Sequence, residues 1–183
     1  MFGFSLKKIA LIVGHDEISK GAINILRQYE YDVNFKLAHL ISANIKFIRS
    51  KVFTKYALNY QDQCKLVAAD CRAWGANIAI EIHFNSYDTR TNGVEVLAIN
   101  VNQFDMVKQL TRDISREYFI RNRGIKLVQN GDRGYYALKC LGDMGINPLL
   151  LEYCFGDSID SIMMFRDQEK LARVIANSIK ETI

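Results

Sequence analysis

Residues 76–85 read ANIAIEIHFN, and this stretch decides the fold. Five of its residues are alanine or isoleucine within a run bounded by a Gly-Ala turn and a polar loop, the pattern of a central strand buried on both faces of a parallel sheet. Two further runs resemble it: KKIALIVGHD at 7–16 and NPLLLEYCF at 147–155. Helical periodicity separates the strands, which predicts an α/β fold, one domain with a twisted, mostly parallel sheet flanked by helices. The pattern predicts strands over 8–13, 46–53, 77–83, 94–99, 125–128 and 148–153, with 46–53 (KFIRSKVF) alternating like an edge. Helices are predicted over 32–43, 60–74, 102–119 and 167–181. The glycines Gly131, Gly134, Gly142 and Gly145 read as a loop-rich region, and Pro148 opens the last core strand.

The ends of the three most apolar strands carry the chemistry. His15, His83 and Glu152 each close one of them. Ligands bind at the carboxyl ends of strands in open α/β sheets, so such residues converge there. Imidazole and carboxylate suit Zn²⁺, and two His plus one Glu with an open fourth position is a catalytic pattern. A carboxylate beside such a centre, and not bound to it, is free to take a proton from water. Singly, a strand-end histidine is more often an ordinary hydrogen-bonded residue. Yet two of only three histidines stand at such ends, and the third, His39, lies within a helical pattern (VNFKLAHLI) as a plain helix residue. Glu152 follows three leucines, and a buried glutamate needs a partner.

Composition sets limits. A chain of 183 residues, 49% hydrophobic and 24% charged, fits one globular domain, taken here as 1–183. No apolar run approaches the roughly 20 residues of a membrane span. The opening MFGFSLKKIALIVG has its lysines after the first apolar residues and no small-residue cleavage site, so it reads as the first strand. We therefore expect synthesis in the cytoplasm without a signal peptide, and a monomer. Cys64, Cys71, Cys140 and Cys154 lack CxxC spacing and read as reduced thiols, Cys64 and Cys71 in the core. The net charge is +4, and basic residues gather between Lys108 and Lys126, most simply as a solvated helix face. Few aromatic residues interleave with them, which argues against nucleic acid.

Four motifs in fixed order carry a resemblance. They are IALIVGHDEISKGA at 9–22, YEYDVNFKLA at 29–38, the pair IEIHFNS at 80–86 and NGVEVL at 92–97, and LLLEYCF at 149–155. This series resembles the zinc-dependent N-acetylmuramoyl-L-alanine amidases shared by bacterial cell-wall hydrolases and phage endolysins, over nearly the whole chain. The resemblance implies metal ligands at His15, Glu30 and His83, a catalytic carboxylate at Glu152, Zn²⁺ as cofactor and peptidoglycan as substrate. Asp16, Glu17 and Asp32 are oxygen donors near Glu30 that could take its place.

The chain departs from the family pattern at Asp16-Glu17, where a glycine pair is usual, and at Glu81, commonly Ser. Thr54-Lys55 stands for a Thr-Arg pair. Side chains alternate along a strand, so Glu81 shares a face with His83 and could accept an imidazole N–H, or be only a surface charge or salt-bridge partner. Asn85, two residues further, could position substrate or a ligand, or simply close the strand. The resemblance implies an enzyme that acts on the cell wall after release, as a phage endolysin or another wall-lytic hydrolase. Another zinc hydrolase, a peptidase or sugar deacetylase, and a non-catalytic wall-binding domain of the same fold are the alternatives.

Overall fold

A computed structural model describes residues 7–46 and 48–183. The first six residues of the opening stretch, and one position of the predicted 46–53 strand, lie outside them. The strands are β1 (Lys8–Val13), β2 (Arg49–Phe53), β3 (Ile78–Asn85), β4 (Val94–Ala98), β5 (Asn122–Leu127) and β6 (Asn147–Phe155). The helices are α1 (Glu30–Asn44), α2 (Tyr60–Trp74), α3 (Phe104–Tyr118), α4 (Tyr135–Asp143), α5 (Ile162–Arg166) and α6 (Gln168–Lys180). They build one six-stranded sheet in the order β2-β1-β3-β6-β4-β5. Strands β2, β1, β3 and β6 run parallel, and β4 pairs with β6 antiparallel. The alternating strand β2 does lie at an edge, and β3 sits centrally between β1 and β6.

The two-residue alternation of the strands sorts the core onto two faces. Ile9, Leu11, Ile80, Ile82 and Leu151 pack with apolar residues of α1, α3 and α6. Ala10, Ile12 and Ala79 face the other way, against Val67 and Cys71 of α2 and Leu141 of α4. Because β3 alternates, Glu81 and His83 join Ala79 on this second face, beneath α2 and α4. Helix α2 is held at both ends by its own sequence. Asn59 Oδ1 accepts from the Asp62 N–H at 3.0 Å, and Gly75 closes the helix at φ 83°.

The structure corrects the prediction after β5. Residues 135–143 form α4, where a loop-rich stretch was expected, and Ala137, Leu138 and Leu141 are its buried stripe. The helix is short and bracketed by Gly134 and Gly145, so glycine punctuation outweighed its periodicity in the sequence. A short 3-10 turn (Ile159–Ser161) and α5 were also not predicted. Arg123, counted among the surface cations, instead reaches Glu95 at 2.8 Å and lies over the Phe155 ring.

Candidate active site

The carboxyl ends of β1, β3 and β6 open into a cavity of about 530 Å³ whose lining includes His15, Glu30, His83, Arg133 and Glu152. The chain leaves β1 at Gly14, and His15 takes a left-handed conformation, φ 64°, that turns its ring back toward β3. His83 is supplied by β3 itself and is mostly buried. Glu30 opens α1, and it is the acid that the fold delivers to both imidazoles. Its Oε1 lies 2.9 Å from His83 Nδ1, and its Oε2 lies 3.1 Å from His15 Nε2. The backbone N–H groups of Phe84 and Ala22 donate to the same two oxygens, at 3.1 and 3.2 Å.

The other acids near Glu30 are turned away. Asp16 accepts from the Ile18 and Ser19 N–H groups, which shapes the turn after His15. Asp32 pairs with Lys20, and Glu17 is exposed.

One ligand atom from each of His15, Glu30 and His83 lies within 4.8 Å of the other two, so the three could hold a metal ion. Glycines make room for this cluster. A Cβ on Gly14 would stand 2.4 Å from the His83 ring, and one on Gly21 would stand 2.5 Å from the His15 ring and 2.8 Å from Glu30 Oε2. The donor set, two imidazoles and one buried carboxylate, fits a zinc ion. Burial pushes the Glu30 carboxyl up, but hydrogen bonds from His15 and His83 overcome it and bring the group down to about 2. Burial works against charge on His83 too, yet Glu30 and Glu81 raise the imidazole to about 10. Without metal, His83 is therefore an imidazolium donating from both nitrogens, and a cation bound there would take the place of its Nδ1 proton.

Glu81 lies on the His83 face, as strand alternation requires. Its Oε1 accepts from His83 Nε2 at 2.8 Å and also from Lys55 Nζ. The sequence marks Lys55 only as the second residue of the Thr54-Lys55 pair, with no partner assigned, and its side chain is only 4% exposed. Burial disfavours both charges of this pair; their mutual attraction, with His83, keeps the lysine up and the glutamate down. The signal was present: a glutamate inside a buried strand needs a cation.

Glu152 stands directly beside His83 in the parallel β3–β6 register, about 4.8 Å away across the strands. Burial is the main cause that lifts its carboxyl to about 7, opposed by His83 and Arg133. Arg133, from the turn before α4, donates from Nη2 to Glu152 Oε1 at 2.6 Å. Glu152 Oε2 is buried and has no partner among the described residues. It is the oxygen left to take a proton. Asn85 closes β3, accepts from Arg133 at 3.2 Å and donates to Glu95 at 3.3 Å. It organises the neighbours of Glu152 and does not touch the His15–Glu30–His83 cluster.

All four cysteines are free, and Cys64, Cys71 and Cys154 are buried. Burial pushes the Cys64 and Cys71 thiols up to about 11 and about 12, which disfavours the thiolate a nucleophile needs. Thiol blocking is therefore expected to leave hydrolysis largely intact while a strong chelator abolishes it. The reverse pattern in a timed assay would overturn the metal reading.

The family model for N-acetylmuramoyl-L-alanine amidase matches residues 9–183, and the chain belongs to that family. It is accordingly an amidase of peptidoglycan. Among solved structures, the catalytic domain of an endolysin targeting Clostridia Difficile is similar at 19% identity and a TM-score of 0.80, over 96% of this chain and 98% of that one. The amidase AmiC2 of Nostoc punctiforme (19% identity, TM-score 0.76) aligns over 96% of each chain. The catalytic domain of CwlV from Bacillus (Paenibacillus) polymyxa var. colistinus, also 19% identical, has a TM-score of 0.75 over 96% and 97%. At these identities the structural likeness speaks for the fold alone. Among curated protein sequences, none matches the chain.

Proposed function

We propose that the chain is a zinc-dependent amidase that cuts between the lactyl group of N-acetylmuramic acid and L-alanine, with His15, Glu30 and His83 as metal ligands and Glu152 as general base. The observation that carries this reading is the buried carboxylate of Glu30 bridging both imidazoles, one of which, His83, stands in register with an acid lifted to about 7. Zinc in such a site polarises a carbonyl and makes a water more acidic. Glu152 Oε2 takes the proton of the attacking water and delivers it to the departing alanine nitrogen, so that a free amine leaves. Arg133 holds the other oxygen and keeps the carboxyl aimed. Glu81 accepts from His83 Nε2, which leaves Nδ1, on the Glu30 side, as the nitrogen that would hold the ion.

The same proposal places the enzyme among phage endolysins or related wall-lytic enzymes, reaching the wall after release from the cytoplasm. Incubation with purified peptidoglycan tests the reaction. New L-alanine amino ends without new reducing sugar are expected. Reducing ends, released acetate, or cuts within the stem peptide would replace the amidase with another hydrolase.

Glu81 gives a separate expectation. Replacing a carboxylate behind a zinc-bound histidine commonly costs about 10–100-fold in metal affinity. Glu81→Ala would also strand the buried Lys55 ammonium and so destabilise the fold. Glu81→Gln keeps an acceptor and is the cleaner variant. Its zinc affinity, measured by chelator competition, should fall by about tenfold or more with folding retained. Wild-type affinity would show that Glu81 serves only Lys55.

A further inference from the structure

We propose that Arg133 selects the substrate by charge, taking the α-carboxylate of the second stem-peptide residue while Glu152 works at the alanine amide. This rests on the amidase reading above. Arg133 is carried on a built turn: the Gln129 N–H donates to Asp132 Oδ2 and the Asp132 N–H donates to the Gln129 carbonyl, both at 2.9 Å. Gly134, at φ 80°, lays the turn on the sheet so closely that a Cβ would meet Leu150 at 3.1 Å. From there the side chain, 64% exposed, reaches down to Glu152 and Asn85.

A guanidinium has five N–H donors. Two are given to Glu152 Oε1 and Asn85 Oδ1, which leaves three on an exposed side chain that lines the cavity. The other lysine or arginine lining the cavity is Lys55, which is buried against Glu81. The remaining charged walls are acids, Asp16 among them, apart from the His83 imidazole, which Glu30 and Glu81 hold at its two nitrogens. Among the described residues lining the cavity, an anionic group of the substrate therefore meets one exposed lysine or arginine, and it lies on the Glu152 side.

The substrate carries such a group at the matching place. The residue after L-alanine in a stem peptide is a γ-linked D-glutamate whose α-carboxyl is free or amidated. That carboxyl sits on the α-carbon adjoining alanine's, about 3.8 Å further along. The planar fork of arginine suits a carboxylate, which accepts two parallel hydrogen bonds, and an amide cannot match it.

The test uses two peptidoglycans from one bacterium, alike except that the α-carboxyl of the second stem residue is free in one and amidated in the other. New L-alanine amino ends are counted with the full-length enzyme and with Arg133→Gln and Arg133→Lys. Wild type should open the free-carboxyl form about 10–100-fold faster in kcat/KM. Arg133→Gln should slow both forms through the lost support of Glu152 but slow the free form further, so that the preference is lost, and Arg133→Lys should restore part of it. Equal wild-type rates on the two forms would overturn the proposal. So would an Arg133→Gln enzyme slowed equally on both, which would leave Arg133 only a support for Glu152. If neither peptidoglycan is opened, the amidase reading falls and this one with it.

Discussion

Glu152→Gln should fold, bind zinc as wild type does and lose about 10²–10⁴-fold in hydrolysis, the scale of general acid–base catalysis. The amide is nearly isosteric and keeps an oxygen for Arg133, but it cannot take a proton. The pH profile supplies a second readout. A base lifted to about 7 is mostly protonated below that value, so the wild-type rate should rise with pH toward 7 and level off above it. The variant should lack that limb. Linkage works in the opposite sense on stability. A carboxyl raised from 4.5 to about 7 by folding stabilises the native state at low pH, and that contribution is lost as pH rises through 7. Glutamine mimics the neutral acid, so above pH 7 the variant should melt no lower than wild type. Wild-type activity in Glu152→Gln would remove Glu152 as the base.

The second large effect concerns the metal. One zinc per chain is expected, and His15→Ala should lose it together with at least about 10³-fold of the activity, the scale of losing a main electrostatic support of the transition state. His15 is the better probe because its side chain is 35% exposed, so its removal disturbs the core little. His83→Ala should lose zinc as well, but it also takes one donor from each of the buried carboxylates Glu30 and Glu81, and its folding must be checked by circular dichroism. Full zinc occupancy in both variants would rule the site out.

Much of this was legible in the sequence because the decisive strands are buried on both faces. The runs ending at His15, His83 and Glu152 gave the sheet, its centre and three of the four residues at the heart of the cavity. Glu30 could not be chosen on residue type alone, because an acid at a helix start has an ordinary reason to be there. Its motif singled it out, and only the turn from 14 to 29 shows why Asp16, Glu17 and Asp32 are excluded. The ion pairs of Lys55 and Arg133 were missed for a common reason. Each side chain reads as a surface cation, and its carboxylate partner lies 26 or 19 residues away, a pairing that no local pattern reveals. Helix α4 was missed because nine residues set among glycines show too little periodicity to outweigh those glycines.

The strand order also divides the chemistry between two halves of the chain. Strands β2, β1 and β3, all before residue 86, lie on one side of the sheet and carry His15, Glu30 from α1, and His83. Strands β6, β4 and β5 come later and lie on the other, with Glu152 and the turn that bears Arg133. The reaction centre sits on the β3–β6 seam, and the exposed residues 87–90 belong to the connection that crosses between the halves. A chain cut there yields one fragment holding His15, Glu30 and His83 and another holding Glu152. Neither fragment has a complete set, so hydrolysis would return only when the seam re-forms, making the fold a natural two-piece reporter of its own reassembly.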